Sequence, residues 1–144
     1  MKFYNIITPH CQDEINEIIM SMSSAEVDHV VSLYGRISMV EYTDEKGNEC
    51  MYAILDDYLA NKLEELYSKY SIRFFVKDLT KDVVMDNNIK TSFKNHNNKS
   101  VRKDILDLIK EYKSNWVSKD DILDKILEKG MKSLTKFDLE ILNC

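Results

Sequence analysis

His10 and Cys11 stand side by side after a short apolar run and Pro9, where a strand would hand over to a helix. A thiol at a helix N-terminus shifts toward thiolate, and a neighbouring imidazole can take up its proton. The pair is therefore a candidate nucleophile and base. An acidic turn at 43–49 belongs at the sheet edge where the first strand ends, which would bring Asp44 and Glu45 toward the pair. A working nucleophile also needs an oriented base and a site for the developing oxyanion. The plainer reading of these residues is a polar loop edge with a semi-buried thiol.

The same acidic hairpin invites a comparison with palm-type two-metal nucleotidyl transfer, which requires carboxylates converging on paired ions. The first strand, FYNIIT, carries no carboxylate, and Asp56-Asp57 falls at the opposite end of the third strand. Asp56 fits better as the N-cap of the helix that contains Leu59. His10, His29 and His96 with three scattered cysteines lack the close spacing of a zinc site. His29, between Val27 and Val30, reads as a surface or packed histidine on a helix. There is no Gly-rich phosphate loop, GxSxG or HExxH. No cofactor and no metal are expected.

Between Asn87 and Lys103 there are five basic residues, Lys90, Lys94, Lys99, Arg102 and Lys103, and no acid. With Phe93 and His96 this stretch could contact nucleic acid, but it also reads as a solvated linker. A groove-reading helix is usually strongly basic, whereas the last helix sets Lys136 against Asp138 and Glu140. Trp116 and Phe137 are candidate partner anchors, since aromatics concentrate at binding hot spots. Trp116, between two helices, reads more simply as a core plug.

The elements that must position these residues follow from periodicity. Phe3, Tyr4, Ile6 and Ile7 form a strand. Ile15, Ile18, Ile19 and Met22, then Val27, Val30, Val31 and Tyr34, keep helical spacing, with a capping box at Ser23 and Glu26 between them. Gly35 is expected to close the second helix as its C′ residue. Ile37–Tyr42 and Cys50–Leu55 flank a Gly-containing turn as a hairpin. Leu59, Leu63, Leu66, Tyr67 and Tyr70 mark a helix, and Ser71–Asp78 a last strand. The order βα(α)ββαβ is the ferredoxin-like plan, so the fold class is α+β. We expect this domain over residues 1–85, a basic polar linker over 86–100 and a three-helix domain over 101–144.

In the last domain, Val101, Ile105, Leu108, Ile109 and Tyr112 form one stripe. Ser118 and Thr135 each open a helix with Asp at N3, and apolar residues flank each cap at N′ and N4. Gly130 ends the helix between them. The segment from Asp120 to Leu142 resembles the short C-terminal (SHOCT-like) helical tails of bacterial proteins, including the tail on some rhomboid-type membrane proteases. The likeness rests on Ile122-Leu123-x-Lys125-Ile126, Gly130, Ser133-Leu134-Thr135, and Leu139 with Leu142; it covers about one sixth of the chain. Phe137-Asp138 stand where such tails usually carry Glu. The resemblance implies an interaction or oligomerisation module without catalytic residues. Residues 1–100 resemble no family.

The net charge of −5 hides a division. Residues 1–78 carry fourteen acids against seven bases, and residues 79–144 eleven against thirteen. The first part should repel phosphate backbones, and the second could tolerate them. No apolar run reaches the roughly 18 residues of a membrane helix, and the N-terminus does not read as a signal peptide. Three unevenly spaced cysteines suggest reduced thiols. A cytoplasmic protein without membrane insertion is expected. Scarce Gly and Pro and an Asn/Lys/Ile-rich vocabulary suggest a bacterial or phage origin, where virion association is also open. The leading expectation is a non-enzymatic interaction, adaptor or assembly protein, for example a bacterial or phage accessory or inhibitor, with a protein partner or self-association. A nucleic-acid-binding regulator and a small enzyme at His10 and Cys11 are the alternatives.

Overall fold

The computed structural model describes residues 1–85, 93, 96 and 98–143. They divide into two compact units between Asp78 and Leu79. The first unit runs β1 (Lys2–Ile7), α1 (Gln12–Met20), α2 (Ser24–Gly35), β2 (Ser38–Thr43), β3 (Glu49–Leu55), α3 (Asp57–Lys69) and β4 (Phe75–Asp78). The sheet order is β2-β3-β1-β4, with every neighbouring pair antiparallel. This is the ferredoxin-like arrangement, with its first helix in two pieces.

Side chains alternate across the ladder. Ile6, Met51, Ala53 and Leu55 face a core completed by Leu33, Ile37 and the α3 residues Leu59, Leu63, Leu66 and Tyr67. The opposite face carries an aromatic row in which Tyr42 stacks on Tyr52 at 5.1 Å and Tyr42 accepts from the Asn5 amide at 2.8 Å. β3 lies between β1 and β2, and Cys50 to Leu55 are all buried. That explains its continuous apolar sequence, since both of its faces are covered.

Local signals set the element ends. Asp56 caps α3 by accepting from Leu59 N–H at 2.7 Å, as expected. Ser23 accepts from Glu26 N–H at 3.2 Å, but the Glu26 carboxylate also turns to Tyr70 and Lys69. Gly35 does not close α2 in a left-handed conformation. Among the described residues only Gly47, Gly130 and Ser71 have positive φ, and α2 runs through Gly35 to a right-handed cap at Arg36. β4 is shorter than the expected Ser71–Asp78 because residues 71–74 are spent on the turn out of α3. Ser71 has φ 56°, and Ile72 N–H bonds back to Tyr67 O at 2.8 Å.

The second unit contains α4 (Thr80–Met85), α5 (Lys99–Trp116), α6 (Lys119–Lys129), a 3-10 turn (Met131–Ser133) and α7 (Lys136–Leu142). Helix α4 begins this unit rather than ending the first, because Val83 and Val84 are buried and α4 packs against α6. The expected linker at 86–100 lies largely outside the described residues. Within it, Phe93 is buried, and Asn98 caps α5 by accepting from Ser100 and Val101 N–H, so its last residues already belong to a helix start. The α5 stripe Ile105, Leu108, Ile109 and Tyr112 is buried. Both expected caps at Ser118 and Thr135 form complete capping boxes. Val117 and Ile122 are buried as a staple would require, whereas Leu139, the corresponding partner of Leu134, is exposed. Gly130 ends α6 with φ 80° and ψ 168°, a conformation essentially restricted to glycine.

Candidate functional site

The strand-to-helix turn after β1 meets the base of the β2–β3 hairpin, and its polar groups are taken up in local bonds. Thr8 N–H bonds to Glu49 O at 3.0 Å, and Glu49 N–H bonds to His10 O at 3.0 Å, so the hairpin base does reach His10. The His10 Nδ1 lies 2.8 Å from the Glu14 carboxylate, and Nε2 accepts from Arg73 N–H at 3.1 Å. An acceptor at one nitrogen and a donor at the other fix the ring as the Nδ1–H tautomer. The imidazole thus pins the turn before β4 to the start of α1, with both of its nitrogens engaged by groups other than Cys11. Cys11 is the exposed N-cap of α1, with no side-chain cap bond, and its Sγ lies 3.5 Å from the same Glu14. The His10 and Cys11 bonds hold the Glu14 carboxyl below its ordinary range.

Asp44 closes its own hairpin loop, accepting from Lys46 N–H at 2.9 Å and Asn48 N–H at 2.8 Å. Desolvation alone would raise its carboxyl, but the bonds from Asn48 and Lys46 outweigh it and keep it low. Glu45 is exposed at the loop tip. Cys50, the other described thiol, is pushed up to about 11 by burial and then by the Asp44 charge. A thiol so shifted is a poor nucleophile. Among the described residues no group of three or more His, Cys, Asp or Glu side chains could hold a metal ion.

An open concavity of the first unit lies elsewhere. A cavity of about 420 Å³ opens between α1, α2 and the sheet, within the roughly 300–1,000 Å³ of ligand clefts. Its floor is formed by Ile6, Met51, Leu66 and Tyr67. One wall is the α1 stripe, Ile15, Ile18 and Ile19, followed by Met22. None of the α1 residues is buried, so the stripe that reads as core faces the cavity. Ile19 and Val31 also line it and are 43% and 65% exposed, which puts the mouth between α1 and α2. Tyr34 and Tyr67 hydroxyls meet at 3.0 Å inside it. Burial raises both phenols, helped by the Glu41 charge, so both stay protonated.

The charges that line this cleft have one sign. Its charged lining residues are Glu41 and Glu49. From Phe3 to Gly35 there are five acids, Asp13, Glu14, Glu17, Glu26 and Asp28, and no Lys or Arg. That run, coinciding with two apolar helical stripes, is the sequence signal that marks the cleft. A motif search misses it because these acids follow no catalytic or metal-ligand spacing.

In the second unit, Lys125 and Asp138 form a fully buried ion pair at 2.6 Å, with both side chains 0% exposed. The Asp138 Oδ2 also accepts from Thr135 N–H at 2.8 Å, while Oδ1 has no hydrogen-bond partner. Burial would raise this carboxyl, but Lys125, the Thr135 N–H and the nearby Lys113 charge hold it below its ordinary value. The pair joins α6 to α7 and has a structural explanation.

Of the candidate nucleic-acid contacts, Lys90 and Lys94 lie outside the described residues. Lys99 and Lys103 are exposed on the first turns of α5, and Arg102 is half-buried there. The candidate anchor Trp116 is half-buried and its ring lies 6.2 Å from that of Tyr112; Phe137 is half-buried at the start of α7. No described helix is long and apolar enough to cross a membrane. The chain matches no family model, no curated protein and no solved structure.

Proposed function

We propose that the protein is a non-enzymatic interaction or assembly protein that takes a partner at the cleft between α1, α2 and the sheet. One observation carries this reading: α1 turns its whole apolar stripe toward an open cleft and buries none of its residues. A short amphipathic helix owes its stability to the face it buries, so α1 has packing capacity left for a partner. The groups that could have formed a catalytic site support the same reading, because His10, Glu14 and Asp44 are engaged in holding local structure. In the second unit Leu123 and Leu127, about one turn apart on α6, are exposed, an apolar edge that fits the module-like role of the tail resemblance.

The test is recovery of bound proteins from native cells, together with sedimentation of the purified chain. The comparison is a variant carrying Ile19→Asp and Val31→Asp, both at the mouth. A partner or self-assembly that the double variant loses is the expected outcome. A chain that is monomeric and recovers no partner would remove the interaction reading.

A further inference from the structure

Resting on that reading, we infer that the partner at the cleft is a basic amphipathic helix, held by its apolar face with its lysines or arginines over the α1 and α2 surface. Two independent features define this occupant.

The first is shape. The apolar surface does not stop at the cavity; it continues outward through Ile19 and Val31, which are exposed at the mouth. A small molecule filling the interior would leave those side chains in water. A helix lying along the mouth inserts side chains at successive turns into the cavity and covers the rim with the rest. The flexible Met22 side chain in the lining suits such a surface, since methionine repacks around different apolar shapes.

The second is charge. Glu41 and Glu49 line the cleft and no Lys or Arg does; α1 and α2 carry five further acids and no Lys or Arg, of which Glu14 and Glu26 are engaged by His10 and Tyr70 and Asp13 and Glu17 lie on the side of α1 away from its apolar stripe. Lys69 approaches this region but is paired with Glu26 at 3.9 Å. A net negative field at an apolar opening attracts ligands of the opposite sign and repels those of its own. Fatty carboxylates, nucleic acids and acidic helices are therefore disfavoured, and a cationic amphiphilic helix is favoured.

The experiment uses the full-length chain and two fluorescent probe peptides of about 18 residues, long enough to span about 27 Å as helices. One is a Leu/Lys peptide of helical period; the other replaces every Lys with Glu and keeps the same Leu positions. Binding is followed by anisotropy at about 20 mM salt, where surface charge is weakly screened. The Leu/Lys peptide should bind saturably and weaken as salt rises, and the Leu/Glu peptide should not bind. Ile19→Asp/Val31→Asp should weaken the Leu/Lys peptide by roughly tenfold or more, as loss of anchor contacts does. Near-ultraviolet dichroism checks that this variant keeps its packing. Glu17→Lys/Asp28→Lys, which leaves the apolar mouth intact, should weaken it as well and flatten the salt dependence.

Equal binding of the Leu/Lys peptide to wild type and the Asp variant would reduce the effect to surface charge and overturn the inference. So would equal binding of both peptides, no binding at low salt, saturable uptake of decanoate in place of peptide, or a dimer abolished by the same substitutions. If native cells yield a partner lost in the Asp variant while the Leu/Lys peptide fails to bind, the interaction reading stands and the basic-helix inference falls.

Discussion

At the residue scale, His10 shows how a catalytic-looking side chain is committed to structure. Its two nitrogens satisfy Glu14 and the Arg73 N–H, linking α1 to the turn before β4. His10→Ala should lower the stability of the first unit by about 1–2 kcal/mol, the cost of losing such bonds with one partner left behind. Denaturant unfolding measures this, and a change within about 0.5 kcal/mol, the range of ordinary surface substitutions, would contradict the pinning role. Lys125 and Asp138 make a sharper case. Lys125→Met or Asp138→Asn alone strands a buried charge or weakens its compensation, and should cost about 3–5 kcal/mol. Lys125→Met combined with Asp138→Asn should cost much less than the two single losses added together, because neither charge is then left alone. Additive losses in a double-mutant cycle would show that the two side chains act independently. The spacing of Asp138 from Thr135 marks it as a capping residue, and that much is legible in the sequence. Lys125 is not legible, since a lysine between Asp124 and Ile126 reads as solvated until α7 is placed over it.

At the element scale, the two helix-end glycines look alike in the sequence and differ in the structure. Gly130 has φ 80°, while Gly35 has a right-handed conformation and nothing within 4 Å of an added Cβ. Gly35→Ala should therefore stabilise by about 0.5–1 kcal/mol, by restricting the unfolded chain and favouring helix. Gly130→Ala should destabilise by about 1–3 kcal/mol, the strain of a positive φ in that region. Thermal melts of the two variants should move in opposite directions, and movement in the same direction would refute the assignment. The strands, α3 and the caps at Asp56, Ser118 and Thr135 are readable because alternation, helical spacing and polar N-caps agree locally. Helix α4 escapes because its apolar signal is little more than Val83-Val84. The openness of α1 escapes for another reason: periodicity shows which face of a helix is apolar, not whether anything fills the space in front of it.

At the scale of the whole molecule, the acidic first unit and the mildly basic second unit were already separate in the composition, and the boundary moved from residue 85 to Asp78 once α4 was seen to pack on α6. The cleft was visible only as an unexplained run of acids between Lys2 and Arg36. The units should also differ in their response to acid. The Asp138 carboxyl titrates lower in the folded state than the roughly 3.9 of an unfolded chain. Its contribution is therefore complete above that pH and is lost as pH falls through the folded value. Glu14 and Glu26 are lowered too, but at the solvent-facing surface, where screening makes such shifts weak stabilisers. Amide exchange on lowering pH from about 6 to about 3 should show α6 and α7 losing protection before α3. Loss of protection in α3 first would place the acid-sensitive centre elsewhere. The short β4 has a different kind of consequence. Because His10 captures the Arg73 N–H and Ser71 bends the chain, the sheet edge is four residues long and ends in Lys77-Asp78. Such an edge offers little backbone for another chain to zip onto. Strand-by-strand growth into fibrils is thereby discouraged at this edge, and an aggregation-prone variant would arise most directly by straightening residues 71–74 and replacing Lys77 with an apolar residue.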